Sequence, residues 1–492
     1  MGRKAKEQGQ EAGRWVALMA AALAGVALGL AGGWTPVSAQ GVGPTGVAHL
    51  PDTPAVVAFE GVSVLPMDPE LADPVVPGQT VVVRDGRIEA MGAAGEVDVP
   101  AEALRIDGTG RFLIPGLAEM HAHVPPSADP PREDVEEILF LFVANGVTTM
   151  RGMLGAPWQL DLRDELARGE VLGPRFYVGA PSLNGNTAPD PESAEERVRA
   201  HADAGYDLLK IHPGVPRASW DRMVEVAREV GITWAGHVPG DVGIEHALRT
   251  GISTVDHLDG FLEASRRDDL PQGAGRAETF RGTDEDALEA LVELAVGSGA
   301  WMVPTQYLWD NLMGRVDDPE GLLEEEEFRY VSPSQREAWL RTARQRPAQA
   351  GVDEEAHEAH ARWRHELLGR LHQAGVPILM GTDSPQLMNV PGFALHRELP
   401  LMEEAGMTPL EVLQSGTVNV ARYVEEHLGQ EAPFGRIAPG LEADLVLLEG
   451  NPLDDLGHLR SPAGVMVRGA WLPEEEIRTR LEAIARRHAG EG

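Results

Sequence analysis

The chain has no cysteine among its 492 residues. Structural disulfides, zinc–thiolate sites and cysteine nucleophiles are therefore excluded. Lysine is almost as scarce. It occurs at Lys4, Lys6 and Lys210, and the rest of the 42 cationic residues are arginine. Positive charge is in deficit as a whole, with 77 acidic residues and a formal net charge of −35. That balance speaks against a nucleic-acid partner, because phosphate binding needs Lys and Arg to displace counterions. Long apolar runs are missing too, apart from one near the N-terminus.

That run extends from Trp15 to about Gly33, behind Arg3, Lys4, Lys6 and Arg14. Val37, Ser38 and Ala39 then put small residues ahead of Gln40. The order is that of a secretory signal peptide over 1–39, expected to be cleaved after Ala39. The mature chain is expected outside the cytoplasm, with no membrane attachment left. Periplasm and medium stay open.

Hydrophobic residues at 43% and charged residues at 24% describe ordinary globular material, not a disordered acidic tail. The length suits one large barrel with a smaller satellite. Val-rich segments at 56–64 and 81–91 read as strands, the second turning at Arg84-Asp85-Gly86-Arg87. Short strands recur at 443–448 and 465–471, with turns at Pro439-Gly440 and Arg468-Gly469. The two chain ends therefore predict one β-sandwich, from 40–114 and 429–475, with 476–492 as a C-terminal helix or tail.

Between them, strand-like pieces occur at 116–123, 147–151, 175–179, 208–212, 233–237, 254–257, 301–305 and 378–383. Helix-like stretches such as 194–204, 220–230 and 242–250 lie between most of them. Eight strands alternating with helices predict an α/β fold, a (β/α)8 TIM-like barrel over 115–428. Insertions fall between Gly260 and Trp301 and between Asp310 and Arg370, the second acidic and helical. The Glu324–Glu327 run within it reads as a solvated helix face. His357, His360, His365 and His372 share one predicted helix and read as surface or packing residues.

The chemistry gathers at the strand ends. In Glu119-Met120-His121-Ala122-His123, residues i and i+2 of a strand face the same way, so His121 and His123 can present two imidazoles to one ion. Lys210, His237, His257 and Asp383 close the fourth, fifth, sixth and eighth strands. In barrels of this kind the strand C-termini build the active face. Each residue alone has a bland alternative, such as a core histidine or a helix cap. Together they do not.

These residues sit in motifs that resemble the amidohydrolase superfamily, in its imidazolonepropionase-like and Xaa-Pro dipeptidase-like branch. The motifs include FLIPGLAEMHAHV at 112–124, GYDLLKIH at 205–212, GITWAGHV at 231–238, VPILMGTDSP at 376–385 and GRIAPGLEADLVLLEGNPLDDL at 435–456. The resemblance implies a binuclear site. His121, His123 and Asp383 would hold one divalent ion and His237 and His257 the other. Lys210, carboxylated by CO2, would bridge the two through its carbamate. Zinc is the expected metal, with Mn, Co, Ni and Fe also compatible with such ligands. Carbamate chemistry needs a neutral primary amine, which burial can give to Lys and not to Arg. A single lysine kept in an arginine-only body fits that need.

The implied activity is hydrolysis of a small-molecule amide: a dipeptide, an N-acyl amino acid or a cyclic amide. Asp383 is the expected general acid/base. His212, Tyr307 and Arg151 are candidate substrate contacts. Members of the superfamily commonly have Asp after that arginine, where this chain has Gly152. A lactonase or phosphotriesterase on the same site, a mononuclear deaminase or cyclic-amide hydrolase, and a barrel without catalysis remain open at this point, as does a homo-oligomer.

Overall fold

The computed structural model describes residues 46–125, 127–270, 276–313, 318–350 and 353–490. The export segment expected over 1–39 lies outside the described residues. No described helix is long and apolar enough to cross a membrane.

The chain opens with strands β1 (Val56–Val64), β2 (Val76–Arg84), β3 (Arg87–Ala93), β4 (Leu104–Asp107) and β5 (Phe112–Pro115). The turn between β2 and β3 puts Asp85 and Gly86 at φ 48° and 77°. Two consecutive left-handed residues give the hairpin a twist that matches its strands. β6 (Leu117–Ala122), β7 (Val147–Gly152), β8 (Arg175–Val178), β9 (Leu208–Ile211), β10 (Thr233–Gly236), β11 (Thr254–Asp256) and β12 (Trp301–Val303) follow, with helices between most of them. β13 (Leu445–Leu448), β14 (Gly464–Val467) and β15 (Ala470–Pro473) precede the last helix, Glu474–Ala489.

Strands from the two chain ends share one eight-stranded sheet, ordered β15-β14-β13-β5-β1-β2-β3 with β4 beside β1. β5 is its seam. It runs parallel to β1 and antiparallel to β13, with Ile114 opposite Val446. One face buries Phe59, Leu113, Leu445 and Trp471 in a common core. Phe59 and Trp471 meet edge to face at 5.2 Å, an arrangement aromatic quadrupoles favour.

β6-β7-β8 and β9-β10-β11-β12 are parallel sheets. β6, β7 and β9 are buried along their whole length, as expected where both faces of a parallel sheet are covered. Single parallel bridges join Gly179 to Leu208, Met302 to Ile378 and Ala122 to Ser384. The eighth strand expected at 378–383 is not continuous. Leu379 N–H donates to Met302 O, but Met380 N–H turns to Ser415 O. Asp383 then takes a left-handed φ of 63°, which no regular strand allows.

The second insertion is helical as expected over its described residues. All four histidines of 357–372 lie on the helix Glu354–Gln373, capped by Asp353 accepting from Ala356 N–H. The acidic run is corrected in part. Glu325 and Glu327 both pair with Arg397, and Glu327 is only half-exposed. A guanidinium offered by the helix Leu395–Glu404 draws part of the run out of solvent.

Candidate metal centre and active site

β6 carries His121 inside the fold and leaves His123 just past its end. His123 Nε2 lies 2.5 Å from Asp383 Oδ1, and His121 Nε2 lies 3.7 Å from the same oxygen. The three side chains are buried, and one donor atom from each falls within 4.8 Å of the others. Asp383 reaches this point through its left-handed backbone, whose N–H donates to His121 O at 2.8 Å. Glu119 fixes both strands from beneath. It accepts from His121 N–H at 3.1 Å, Thr382 N–H at 2.7 Å and Thr382 Oγ1 at 2.7 Å. Burial nonetheless pushes the Glu119 carboxyl up to about 8.

The neighbouring strands complete an arc. Lys210 of β9 places Nζ 3.4 Å from His121 Nε2 and 3.5 Å from Asp256 Oδ2. Gly236 lets β10 close over it: a Cβ there would stand 3.1 Å from Lys210 Cδ and 2.6 Å from Ile211 O. The imidazole of His257 is 4.7 Å from that of His121 and 4.5 Å from that of His237, centroid to centroid. His212 follows at 5.2 Å from His237. His237 Nδ1 is 2.7 Å from Asp259, His257 Nδ1 2.7 Å from Thr305 Oγ1 and His212 Nδ1 2.8 Å from Ser182 Oγ. With Nδ1 held by its neighbour, each ring leaves Nε2 free to ligate.

The electrostatics suit a cation. Burial pushes His121, His212 and His257 well below 6.5, so they are neutral donors at neutral pH. Burial alone would raise Asp383, but His121 and His123 outweigh it and hold the carboxyl down at about 2. Burial also lowers the Lys210 amine, against the pull of Asp256 and Asp383. His121 Nδ1 and Asp256 Oδ2 lie 3.0 Å apart, so the carboxylate backs the ring whose Nε2 faces Asp383. Neutral imidazoles and the Asp383 carboxylate form a donor set that fits a divalent ion of zinc type.

The structure thus brings His121, His123, Lys210, His237, His257 and Asp383 together, with His212 at the edge. It does not bring Arg151 there. Arg151 is fully buried, and its donors go to Met120 O (2.7 Å), Tyr423 Oη (2.9 Å), Thr254 Oγ1 (3.3 Å) and Asp256 (3.4 Å). Its support comes from Asp256, so an aspartate at 152 is not needed. Gly152 instead packs against Phe176, whose ring a Cβ would meet at 2.6 Å. Tyr307 is also displaced from the metal ligands. Its N–H donates to Glu398, and its phenol, pushed up by burial, faces Arg397 and Asn311.

Two partners escaped the sequence reading. Asp256 and Glu119 are fully buried carboxylates beside the ligands. An acidic residue inside an otherwise apolar strand, next to or two before a histidine, was the available signal.

Residues 112–472 match the model of the amidohydrolase family. Ochratoxinase of Aspergillus niger is 39% identical over 19% of this chain and 18% of its own length. Enamidase of Eubacterium barkeri is 33% identical over 39% of the chain and 54% of its own length. The chain thus spans about a fifth to a half of these curated relatives. A bottromycin amidohydrolase structure superposes with TM-score 0.65 at 25% identity, covering 88% of this chain and 91% of that one. A putative prolidase of Bifidobacterium longum gives 0.61 at 24%, covering 87% and 98%. The motifs, the parallel strands that end in ligands and the match across most of the chain agree: this protein belongs to the amidohydrolase family.

Proposed function

We propose that this chain is a metal-dependent amidohydrolase of small substrates: dipeptides, including those ending in Pro, N-acyl amino acids or cyclic amides. The observation that carries the reading is the convergence of His121, His123, Lys210, His237, His257 and Asp383 at the ends of parallel strands. His121, His123 and Asp383 would hold one ion and His237 and His257 a second, with Lys210 as a carbamate between them. When bound, the ions acidify water and draw charge from the substrate carbonyl oxygen. Asp383, kept ionised by His121 and His123, accepts the water proton and returns it to the leaving nitrogen. His212 Nε2 offers a contact to the substrate at the outer end of the arc. The buried walls exclude competing water.

One observation favours a mononuclear variant. Among the described residues, the donors that meet within a single ion's reach are His121, His123 and Asp383. Elemental analysis of protein purified with bicarbonate decides between them. Two ions per chain, one of them lost in Lys210→Ala, supports the binuclear site; one ion, unaffected by that change, selects the mononuclear one. Amide substrates should turn over faster than lactones and phosphotriesters after metal loading. The reverse order would overturn the amide assignment.

The same reading includes a closed (β/α)8 barrel over 115–428, supported by the parallel bridges at Gly179, Met302 and Ala122. It includes the β-sandwich from 40–114 and 429–475, and export directed by 1–39. N-terminal sequencing of secreted protein should begin at Gln40; an intact Met1 would refute cleavage.

A further inference from the structure

We propose that Arg364, on the helix of the second insertion, is a positioning residue that sets the tautomer and orientation of His257. The inference rests on the metal-centre reading above and assigns a role in it to an element outside the strands.

Arg364 lies on Glu354–Gln373 and is 4% exposed. Its three nitrogens point to three acceptors just past the ends of β11 and β12. NH1 donates to His257 O at 2.8 Å, NH2 to Pro304 O at 2.6 Å and Nε to Gln306 Oε1 at 2.6 Å. No carboxylate forms an ion pair with it among the described contacts. Burial lowers it to about 10, still cationic at neutral pH. A buried cation whose hydrogen bonds all go to neutral oxygens, lying over the Trp309 ring with Glu398, Asp259 and Asp310 beyond ion-pair distance, is an expensive way to brace a helix.

The acceptors show what it does. His257, Leu258 and Thr305 all have left-handed backbones, with φ of 65°, 57° and 48°. Such conformations in residues other than glycine persist only where the surroundings over-determine them. Arg364 grips the carbonyl of the first and the carbonyl just before the third. Thr305 Oγ1 donates to Pro304 O at 2.8 Å. Its single proton is thereby committed, so it can only accept from His257 at 2.7 Å. His257 must then carry its proton on Nδ1, leaving the Nε2 lone pair aimed 3.7 Å from Asp383 Oδ2. Arg364, Pro304 O, Thr305 Oγ1 and His257 Nδ1 form one chain. A planar guanidinium reaches three acceptors at once; an ammonium cannot.

The test compares wild type, Arg364→Lys, Thr305→Ala and Thr305→Ser, with Arg175→Lys, a half-buried arginine paired with Glu442 and Asp444, as the control. In metal-loaded protein, Arg364→Lys and Thr305→Ala should lose the ion assigned to His237 and His257 to a weak chelator at least tenfold faster than wild type. kcat should fall with KM little changed. Thr305→Ser should restore retention, and the double variant should be no worse than Thr305→Ala alone. Arg175→Lys should lower the melting temperature without faster metal loss. Wild-type retention in Arg364→Lys, or equal loss in Arg175→Lys, would overturn the proposal.

The imidazole gives a readout without metal. In metal-free protein, 15N shifts assigned with a His257→Asn variant should show Nδ1–H in wild type and mixed tautomers in Arg364→Lys. An unchanged tautomer would overturn the proposal. If wild type binds no ion, the metal-centre reading fails while the tautomer measurement still decides the role of Arg364.

Discussion

At the scale of single residues, Asp256 couples most of the buried charge. It faces Arg151, Lys210 and His121 at 3.4, 3.5 and 3.0 Å, with no solvent access. Burial would raise its carboxyl, but Arg151 and Lys210 outweigh that and keep it low. Asp256→Ala would strand the Arg151 guanidinium in the interior. Removing one partner of a buried pair costs about 3–5 kcal/mol, so the unfolding free energy from urea titration should fall by that amount. A loss under about 1 kcal/mol would mean that Tyr423 and the Met120 carbonyl suffice for Arg151. Lys210→Ala should instead cut kcat/KM by more than about 100-fold, at smaller cost in stability. Of this site, the convergence of His121, His123, Lys210, His237 and His257 was legible in the sequence because each lies at or just past the end of a short strand. Arg151 misled because strand-end position gives no side-chain direction: its neighbours Asp256 and Tyr423 lie 105 and 272 residues away. Arg364 gave no signal at all, one arginine among many.

At the scale of elements, strands were legible and their partners less so. Leu208–Ile211 stands out as a short run that is apolar apart from Lys210, and Val147–Gly152 by its Val and paired Thr, which favour a strand; both are buried along their length. The eighth segment also looks like a strand by composition. It breaks because Asp383 must turn left-handed to meet His123, a tertiary demand that local pattern does not encode. The helix Leu395–Glu404 shows how such contacts carry pH dependence. Its His396 donates from Nε2 to Asn145 Oδ1, 2.9 Å away, and is fixed neutral by burial, then by Arg460 and Arg397, at about 3. The unfolded chain takes up this proton near 6.5 and the folded chain only near 3. Stability from this group is therefore complete above pH 6.5 and is lost as pH falls from 6.5 towards 3, by up to about 5 kcal/mol. His396→Gln removes that titration. Its unfolding free energy, measured from pH 7 to pH 4, should fall less steeply than that of wild type; parallel curves would show that His396 protonates without penalty.

At the scale of the whole molecule, the distant chain ends are wired to the strand that carries His121. β13 hydrogen-bonds to β5, and β5 leads through Pro115 and Gly116 into β6, which carries His121. Gly116 N–H donates to Asp444 O at 2.8 Å, just ahead of β13, so the register of the ligand strand is set partly by residues more than 300 positions later. The sheet and the parallel strands should therefore unfold as one unit. Val446 tests this, since it is buried and pairs with Ile114 on one side and Val465 on the other. Proline there removes a ladder donor in a central strand, at about 3 kcal/mol or more. If the molecule is one cooperative unit, Val446→Pro should lower the urea midpoint and release bound metal in the same transition followed by tryptophan fluorescence. A control proline at Glu89 in β3, which ends the sheet order, should cost much less. Two separated transitions, with metal held after the sheet has melted, would mean that the sheet is an independent annex and that its tie to β6 carries no register.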